Sequence, residues 1–375
     1  MVMPPPDPTG FAFTGSMTVS RMAHTATKLP SGDVLVIGGE ANGGPMTASV
    51  ELYSVKTGTF STMAPMPEPR SNHTATLLGS GQVLVTGGGN ANIVGVPSGV
   101  DVKGDGLLYD PVANAWTRTS KMTSVRHFHQ ASILPSGDVL VVGGANDQTT
   151  MEAVFGGPQQ APFAHALATA EMYDVKSRQF HAVGSMKQAR FLFEATALAD
   201  GRIMISGGAT DVGEQSFATT EIYDPTTSTF VAGPMLDGVD RLYHRVTQLG
   251  SGHLLLAGGK RSNIAFLPDA MVLADENGPW KAVARLASGC TAPSLVTLKS
   301  GRALITGGET CDNSGCHSLD NAEVFDEITG VWTPTGAIAS YRSAHTSTVL
   351  DDGHVLLTGG LGNRGEEPTA ELSTP

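Results

Sequence analysis

Short apolar runs alternate with polar, glycine-rich stretches along the whole chain. The run Val34–Ile37 ends in two glycines, and a similar run precedes each of six further glycine pairs. Runs of this length that are bounded by Gly, Asp, Asn and Pro predict short strands, and no segment keeps the 3.6-residue period of an amphipathic helix. The chain is therefore predicted to be all-β. The seven glycine pairs begin at Gly38, Gly87, Gly143, Gly207, Gly258, Gly307 and Gly359.

Each interval between glycine pairs repeats the same four phrases. The intervals are 49, 56, 64, 51, 49 and 52 residues long. Each unit contains a run after an Arg-x-x-His phrase, the run that ends in Gly-Gly, a Glu-x-Tyr-Asp-like phrase, and a phrase that opens with an aromatic residue. Four strands in a period of about 50 residues are typical of one propeller blade. The sequence thus predicts a seven-bladed β-propeller.

The ordered phrases resemble the kelch repeat over almost the whole chain. The aromatic residue is followed five or six positions later by another apolar residue, as with Phe180 and Met186, and both are interpreted as fillers between neighbouring sheets. Galactose oxidase has a similar propeller, with a copper site that uses two tyrosines. No copper site or other cofactor is predicted here, because four of the six tyrosines occupy the repeated third-strand position: Tyr53, Tyr109, Tyr173 and Tyr223.

The two ends of the chain are predicted to share a blade. The seventh unit contains its first three strands, whereas Phe11 and Met17 near the N-terminus have the aromatic-to-methionine spacing of a fourth strand. We expect residues 11–17 to complete the last blade, because closure of the ring protects its edges. Residues 1–375 would then form a single kelch-type propeller domain.

Composition narrows the class of partner. The chain carries 23 basic and 35 acidic residues, a net charge of −12, which argues against nucleic acid as the partner. Apolar runs are too short for membrane insertion. The first residues lack a basic and an apolar segment, so we expect that a secretion signal is either absent or has been removed. We expect a monomer that is secreted or periplasmic.

All three cysteines belong to the sixth unit. Cys311 and Cys316 flank a short loop that contains a glycine, which suits a local disulfide and hence an exported protein. The alternative is a metal site formed by Cys290, Cys311, Cys316 and His317, although this spacing only loosely resembles a zinc knuckle. A disulfide or unreactive thiols are the preferred interpretation, and no metal ligands are predicted.

The Arg-x-x-His pairs recur in five units. A pair that recurs this often is interpreted as serving each blade through hydrogen bonds to loop backbone, although a ring of metal-binding or basic histidines is the alternative. The pairs are Arg21/His24, Arg70/His73, Arg126/His129, Arg241/His244 and Arg342/His345.

A site is predicted where the repeat breaks, over blades three to five. The position after the histidine is small or neutral in five units, but it is Glu194 in the fourth and Arg245 in the fifth. Bulky residues cluster around the same three blades, so an aromatic-walled pocket is expected there. The predicted catalytic residues are Glu194, Arg245 and His127. The predicted ligand-binding residues are Phe128, Gln130, Phe191, Phe193, Tyr243, Lys260 and Arg261, with Glu152 and His165 on the longest loop as a rim.

Two functions fit this pattern. The first is a propeller that binds a small molecule, carbohydrate or peptide in the loop-rich pocket. The second is a small-molecule hydrolase, lyase, isomerase or cyclase, with Glu194 or His127 as general acid/base and Arg245 as anion stabiliser. A third interpretation of the residues is structural, because Glu194 and Arg245 also suit a simple salt bridge between blades.

Overall fold

Seven four-stranded sheets and two short hairpins are formed by the described part of the chain. The computed structural model describes residues 5–40, 46–89, 102–146, 166–210, 216–261, 266–312, 315–363 and 365–374. Every regular element in these ranges is a β-strand, and the seven four-stranded antiparallel sheets are here called blades 1 to 7. The predicted all-β, seven-bladed propeller is therefore confirmed. None of the described segments forms a helix that is long and apolar enough to cross a membrane.

The four strands of a blade are numbered outward from the centre of the ring. Blades 1 to 4 comprise Thr25–Lys28, Val34–Ile37, Val50–Ser54 and Thr59–Met63; Thr74–Leu77, Val83–Thr86, Asp105–Asp110 and Ala115–Lys121; Gln130–Ile133, Val139–Val142, Ala170–Asp174 and Gln179–Ala182; and Glu194–Ala197, Ile203–Ser206, Thr220–Asp224 and Thr229–Ala232. Blades 5 to 7 comprise Arg245–Gln248, Leu254–Ala257, Ala270–Leu273 and Lys281–Ala282; Ser294–Thr297, Ala303–Thr306, Ala322–Asp326 and Val331–Pro334; and Thr346–Val349, Val355–Thr358, Ala370–Thr374 and Gly10–Phe13.

The core lies between successive blades. All residues of the seven second strands are buried, and the first strands contact one another in a closed circle around the axis. Leu35 and Ile37 of blade 1, for example, pack with Val83 and Val85 of blade 2. Each blade therefore buries its apolar residues against its neighbour, as expected of a propeller.

The repeated third-strand aromatic residue packs on the aromatic residue that begins the fourth strand. The ring centroids are 4.8 to 5.1 Å apart and the rings are tilted, a favourable arrangement for aromatic pairs. Four of the six tyrosines are used in this way, as their repeated position predicted. The pairs are Tyr53–Phe60, Tyr109–Trp116, Tyr173–Phe180, Tyr223–Phe230 and Phe325–Trp332.

The N-terminal strand closes the ring. Gly10–Phe13 pairs antiparallel with Ala370–Thr374, with Gly10 opposite Thr374 and Phe13 opposite Glu371. The predicted closure is confirmed, although the strand is shorter than the predicted residues 11–17. Met17 lies beyond the strand and is buried as a filler.

A buried arginine clamps each of six blades. Its Nη1 donates to the carbonyl oxygen of the first glycine of the same blade's pair, at 2.7 to 3.0 Å. In five blades its Nη2 also donates to a third-strand carboxylate, at 2.6 to 3.1 Å: Arg21–Glu51, Arg70–Asp105, Arg126–Glu171, Arg190–Glu221 and Arg342–Glu371. Arg190 does this although its blade has no histidine three residues later, so the arginine and the histidine act separately.

The histidines of the Arg-x-x-His phrases join neighbouring blades. Each Nε2 lies 2.8 to 3.1 Å from a hydroxyl of the preceding blade, and burial lowers the pKa of each imidazole. The side chains are therefore neutral hydrogen-bonding partners. Their role is structural, but they bond hydroxyl groups of the neighbouring blade, whereas hydrogen bonds to loop backbone were expected. The contacts are His24–Thr358, His73–Thr25, His129–Thr86, His244–Ser206 and His345–Thr306.

Candidate functional site

A collar of seven residues surrounds the axis where the first strands begin. Each collar residue directly precedes the repeated histidine position, and all seven have φ between 49° and 57°. A left-handed φ outside glycine costs about 1–3 kcal/mol and persists only where the surroundings enforce it. The collar consists of Ala23, Asn72, Phe128, Leu192, Tyr243, Ala292 and Ala344.

Backbone hydrogen bonds between blades enforce this conformation. The N–H of a collar residue donates to the carbonyl oxygen of the collar residue in the preceding blade, at 3.1 to 3.3 Å in five of the junctions: Asn72 to Ala23, Phe128 to Asn72, Tyr243 to Leu192, Ala292 to Tyr243, and Ala344 to Ala292. The collar is thus a rigid ring whose side chains differ from blade to blade.

A cavity of about 370 Å³ lies on the axis against the collar. All seven blades contribute to its lining. Phe128, Leu192 and Tyr243 supply apolar surface on one side, whereas Asn72 and Gln130 supply amide groups. Five of the seven first strands add their first residue to the lining: Thr25, Thr74, Gln130, Arg245 and Thr346.

Among the described residues that line the cavity, Arg245 is the one with a permanent charge. Its Nη1 donates to Glu194 Oε1 at 2.5 Å and its Nε donates to the carbonyl oxygen of Pro293 at 3.0 Å. One third of the side chain remains exposed. The guanidinium is therefore held by blades 4 and 6 while part of it faces the cavity.

Glu194 is the buried partner of this pair. Burial raises the pKa of its carboxyl group, and the charge and hydrogen bond of Arg245 oppose that shift. Glu194 does not line the cavity. Glu194 is therefore placed to orient Arg245. The two residues form a salt bridge between blades 4 and 5, as the structural interpretation of the pair predicts.

The structure brings together only part of the predicted site. Phe128, Gln130, Tyr243 and Arg245 line the cavity, and the Nε2 of Gln130 donates to the carbonyl oxygen of Phe193 at 3.2 Å. The cavity is on the axis, whereas the pocket was expected over blades three to five. Residues of all seven blades border this cavity, so a ligand pocket over blades three to five stays a prediction.

Three predicted residues are packed inside the protein. His127 and Phe191 are 0% and 1% exposed, and their backbones form β-bridges with Ala145 and Ala209. Phe193 borders the cavity, but its side chain is 2% exposed and packs between blades 3 and 4 with Val142. Phe191 and His127 contact collar residues and do not line the cavity, so a ligand in the cavity would not touch them directly.

The remaining predicted residues lie away from the cavity or outside the described ranges. Lys260 follows the blade 5 glycine pair, and its Nζ lies 6.0 Å from the centre of the Tyr243 ring. Arg261 forms a half-exposed ion pair with Asp240 at 2.8 Å. Glu152 and His165 lie outside the described residues.

Carboxyl groups beside the collar were missed by the sequence reasoning. Glu40 is fully buried, accepts a hydrogen bond from Ser71 Oγ at 2.8 Å, and has its pKa raised to about 7 by burial. Burial also raises the pKa of Glu309, against the opposing charges of Lys260 and His317. The sequence does indicate these carboxyl groups, because the residue that follows each glycine pair differs in charge from blade to blade. These residues are Glu40, Gly89, Ala145, Ala209, Lys260, Glu309 and Leu361.

Tyr243 lies among these charges. Burial raises the pKa of its phenol, and Glu309 and Glu40 add to the shift while Arg245 opposes it. The hydroxyl therefore stays neutral and is a hydrogen-bonding group rather than a phenolate.

The sixth-unit cysteines do not share one site. Cys311 and Cys316 form the predicted disulfide. Cys290 is fully buried at the position that arginine holds in other blades, and burial raises the pKa of its thiol to about 12. Its role is that of a small apolar filler.

The fold and site define a seven-bladed propeller with an axial cavity, and comparison with solved structures gives the same class. A fungal alcohol oxidase of the AA5 family, solved in complex with copper, matches 98% of this chain and 76% of its own, with a TM-score of 0.72 and 16% sequence identity. Identity this low shows the fold alone. The resemblance to galactose oxidase-type propellers is thus supported in architecture.

Comparison with known sequences shows no family for this chain. No protein-family model matches the chain, so the kelch assignment stays a prediction. Alpha-scruin of Limulus polyphemus is 25% identical over 214 residues, which are 56% of this chain. The match covers only about a fifth of alpha-scruin, 21% of its length.

Proposed function

We propose that the protein is a binding propeller whose axial cavity takes one small polar organic molecule. The observation that carries this proposal is Arg245, which is fixed by two hydrogen bonds at the wall of a cavity of about 370 Å³. Small-molecule sites have about 300–1,000 Å³, mostly apolar walls and few well-placed polar groups. A monosaccharide or an amino acid suits this volume better than a folded partner does.

The lining favours a ligand with an acceptor group and a flat apolar face. Arg245 and the amides of Asn72 and Gln130 supply donors, and Phe128 and Tyr243 supply aromatic surface on the collar. A carboxylate or a sugar hydroxyl would accept from the guanidinium, since charged donors form the stronger hydrogen bonds. The collar is rigid, so little ordering entropy opposes binding.

Catalysis by Glu194 or His127 finds less support. Neither side chain lines the cavity, and a general acid or base has to reach the proton that it transfers. Glu194 is better described as the residue that holds Arg245 in place. The enzymatic alternative therefore needs an observation that the geometry does not supply.

Thermal-shift screening of the full chain tests this proposal. The probes are monosaccharides, amino acids and small dicarboxylates, followed by calorimetry on any compound that raises the melting temperature. Arg245→Met should weaken binding of that compound about 10-fold to 100-fold, because a charged hydrogen bond contributes about 1.5–3 kcal/mol. Glu194→Gln should have a smaller effect, because it keeps the shape of the partner.

Arg285→Met is the matched control. Arg285 is an exposed arginine that pairs with Asp269 at 2.9 Å and lies outside the cavity, so its loss should leave affinity unchanged. Equal effects of the two arginine substitutions, or a bound compound seen away from the axis, would overturn the proposal.

A further inference from the structure

A short hairpin inserted in blade 6 places three potential metal-binding atoms on one surface. The blade 6 hairpin consists of Glu309–Asp312 and Gly315–Ser318, with Glu309 opposite Ser318 and Cys311 opposite Cys316. Alternate residues of a strand share a face, so Glu309, Cys311 and Cys316 point to the same side. A carboxylate oxygen and the two sulfur atoms lie within 4.8 Å of one another.

The backbone around Glu309 is fixed independently of the disulfide. Glu309 exchanges two backbone hydrogen bonds with Thr291, both at 2.9 Å. On the facing strand, Ser318 Oγ donates to the carbonyl oxygen of Leu361 at 2.6 Å and the Ser318 N–H donates to Asn363 Oδ1 at 2.8 Å. The base of the hairpin, where Glu309 lies opposite Ser318, is therefore held in place without the disulfide.

The disulfide is accessible, unlike the remaining cysteine. Cys316 is exposed and Cys311 is partly exposed, so a small thiol can attack either sulfur. Glu309 is only 9% exposed and forms the inner side of the group. Cys290 is fully buried elsewhere and is not part of it.

We propose that reduction of Cys311–Cys316 converts this hairpin into a binding site for one Zn²⁺ ion. An external dithiol supplies two electrons: the Cys311–Cys316 bond breaks, the dithiol closes to its own disulfide, and two cysteine thiols form. Zn²⁺ then displaces one proton from each thiol and is bound by two thiolates and the Glu309 carboxylate. A water molecule completes the tetrahedron.

The donor set selects zinc over harder cations. Two thiolates with one carboxylate suit Zn²⁺, whereas Mg²⁺ and Ca²⁺ require oxygen ligands. His317 pairs with Thr310 in the hairpin register and so lies on the opposite face. The zinc site is thus Glu309, Cys311 and Cys316, and the set of Cys290, Cys311, Cys316 and His317 considered from the sequence is not assembled.

Cobalt titration of the full chain tests the site, because thiolate-to-cobalt charge transfer gives an absorption band that a carboxylate site lacks. Protein reduced with a phosphine should bind one equivalent of Co²⁺, which Zn²⁺ then displaces, whereas the oxidised protein should show no band. Glu309→Gln should weaken binding by about tenfold or more.

Two matched variants keep the test specific. Glu366→Gln removes a carboxylate on the neighbouring hairpin, Leu361–Gly362 and Gly365–Glu366, and should leave affinity unchanged. Cys290→Ala should retain the band, and circular dichroism confirms folding in each case. The proposal is overturned if reduced protein shows no band, if Glu309→Gln binds like Glu366→Gln, or if Cys290→Ala abolishes the band.

Discussion

Blade 7 has a complete buried pair of arginine and carboxylate, whereas blades 5 and 6 each lack one of the two residues. In blade 7, Arg342 donates to the glycine carbonyl at 2.7 Å and to Glu371 at 2.6 Å, while Glu371 also accepts from the N–H groups of Ala339 and Ser340. Both side chains are fully buried. The two residues therefore join the second strand, the third strand and the loop that enters the blade.

Blades 5 and 6 each retain one half of this clamp. In blade 5, Arg241 keeps its bond to the glycine carbonyl, but Met271 stands where other blades carry the acid. In blade 6, Glu323 keeps the loop N–H of Ala287, but Cys290 stands where other blades carry the arginine. The arginine of blade 5 and the carboxylate of blade 6 each keep a backbone hydrogen bond although the other residue is missing. The ion pair of the other blades therefore links two backbone contacts, and a blade forms with either contact alone.

The largest difference is expected on removing the arginine. Arg342→Met should cost about 3–5 kcal/mol of unfolding free energy, because it leaves Glu371 buried without its partner. Arg241→Met should cost much less, about 1–2 kcal/mol, because it removes only carbonyl hydrogen bonds and also removes a cation whose pKa burial lowers to about 10. Chemical denaturation of both variants measures the difference. Equal losses would show that the carbonyl bond, and not the ion pair, carries the stability.

The acidic halves of the clamp should differ in their response to pH. Burial raises the pKa of Glu323 above its ordinary value of 4.5, so the folded state holds this proton more tightly than the unfolded chain does. Stability is then fully present below the ordinary pKa and is lost as the pH rises through the folded-state pKa. Glu323→Gln should match the wild type near about pH 4 and exceed it near about pH 8.

Glu371→Gln is the matched control for this pH series. At about pH 8 it should be less stable than the wild type, because Arg342 loses its carboxylate. Unfolding free energies across the pH range measure both variants. A Glu323→Gln variant that is less stable than the wild type at high pH would show that the lone carboxylate stabilises blade 6.

The repeat made the architecture predictable from sequence. Most features that recur in the units were placed correctly: the strands, the third-strand tyrosines, and the buried Arg-x-x-His pairs. The spacing of Phe11 and Met17 also indicated the closure. The exception is the filler expected five residues after Phe230, because Met235 is 59% exposed and Leu236 is buried instead. A position that recurs in seven units can be aligned and its common residue type identified, so the blades could be predicted. Each loop occurs once and offers no such comparison.

The site was less predictable for two physical reasons. Aligned repeats give a residue's blade and its position along the strand, but not whether its side chain faces the axis or the next blade. Phe191 was therefore predicted to bind a ligand and His127 to act as a general acid/base, although both side chains are packed inside the protein. The second reason is that the collar has no characteristic residue type. Ala23, Asn72 and Tyr243 share a left-handed φ because the closed ring imposes it, so this conformation could not be predicted from their side chains.

The smallest expected effect tests whether a phenylalanine–valine pair can replace a histidine–hydroxyl pair at a blade junction. Where histidine joins two blades, a hydroxyl usually ends the second strand of the preceding blade, as with His345 and Thr306 at 2.8 Å; where Phe193 replaces the histidine, the facing residue is Val142, in the same apolar cluster. His345→Phe alone should cost about 1–2 kcal/mol, because the buried Thr306 hydroxyl loses a partner. Adding Thr306→Val should recover at least about 0.5 kcal/mol, a coupling typical of contacting residues. A denaturation cycle of the two single variants and the double variant measures it, and additive losses would mean that the Phe193–Val142 junction depends on features of blades 3 and 4 beyond this pair.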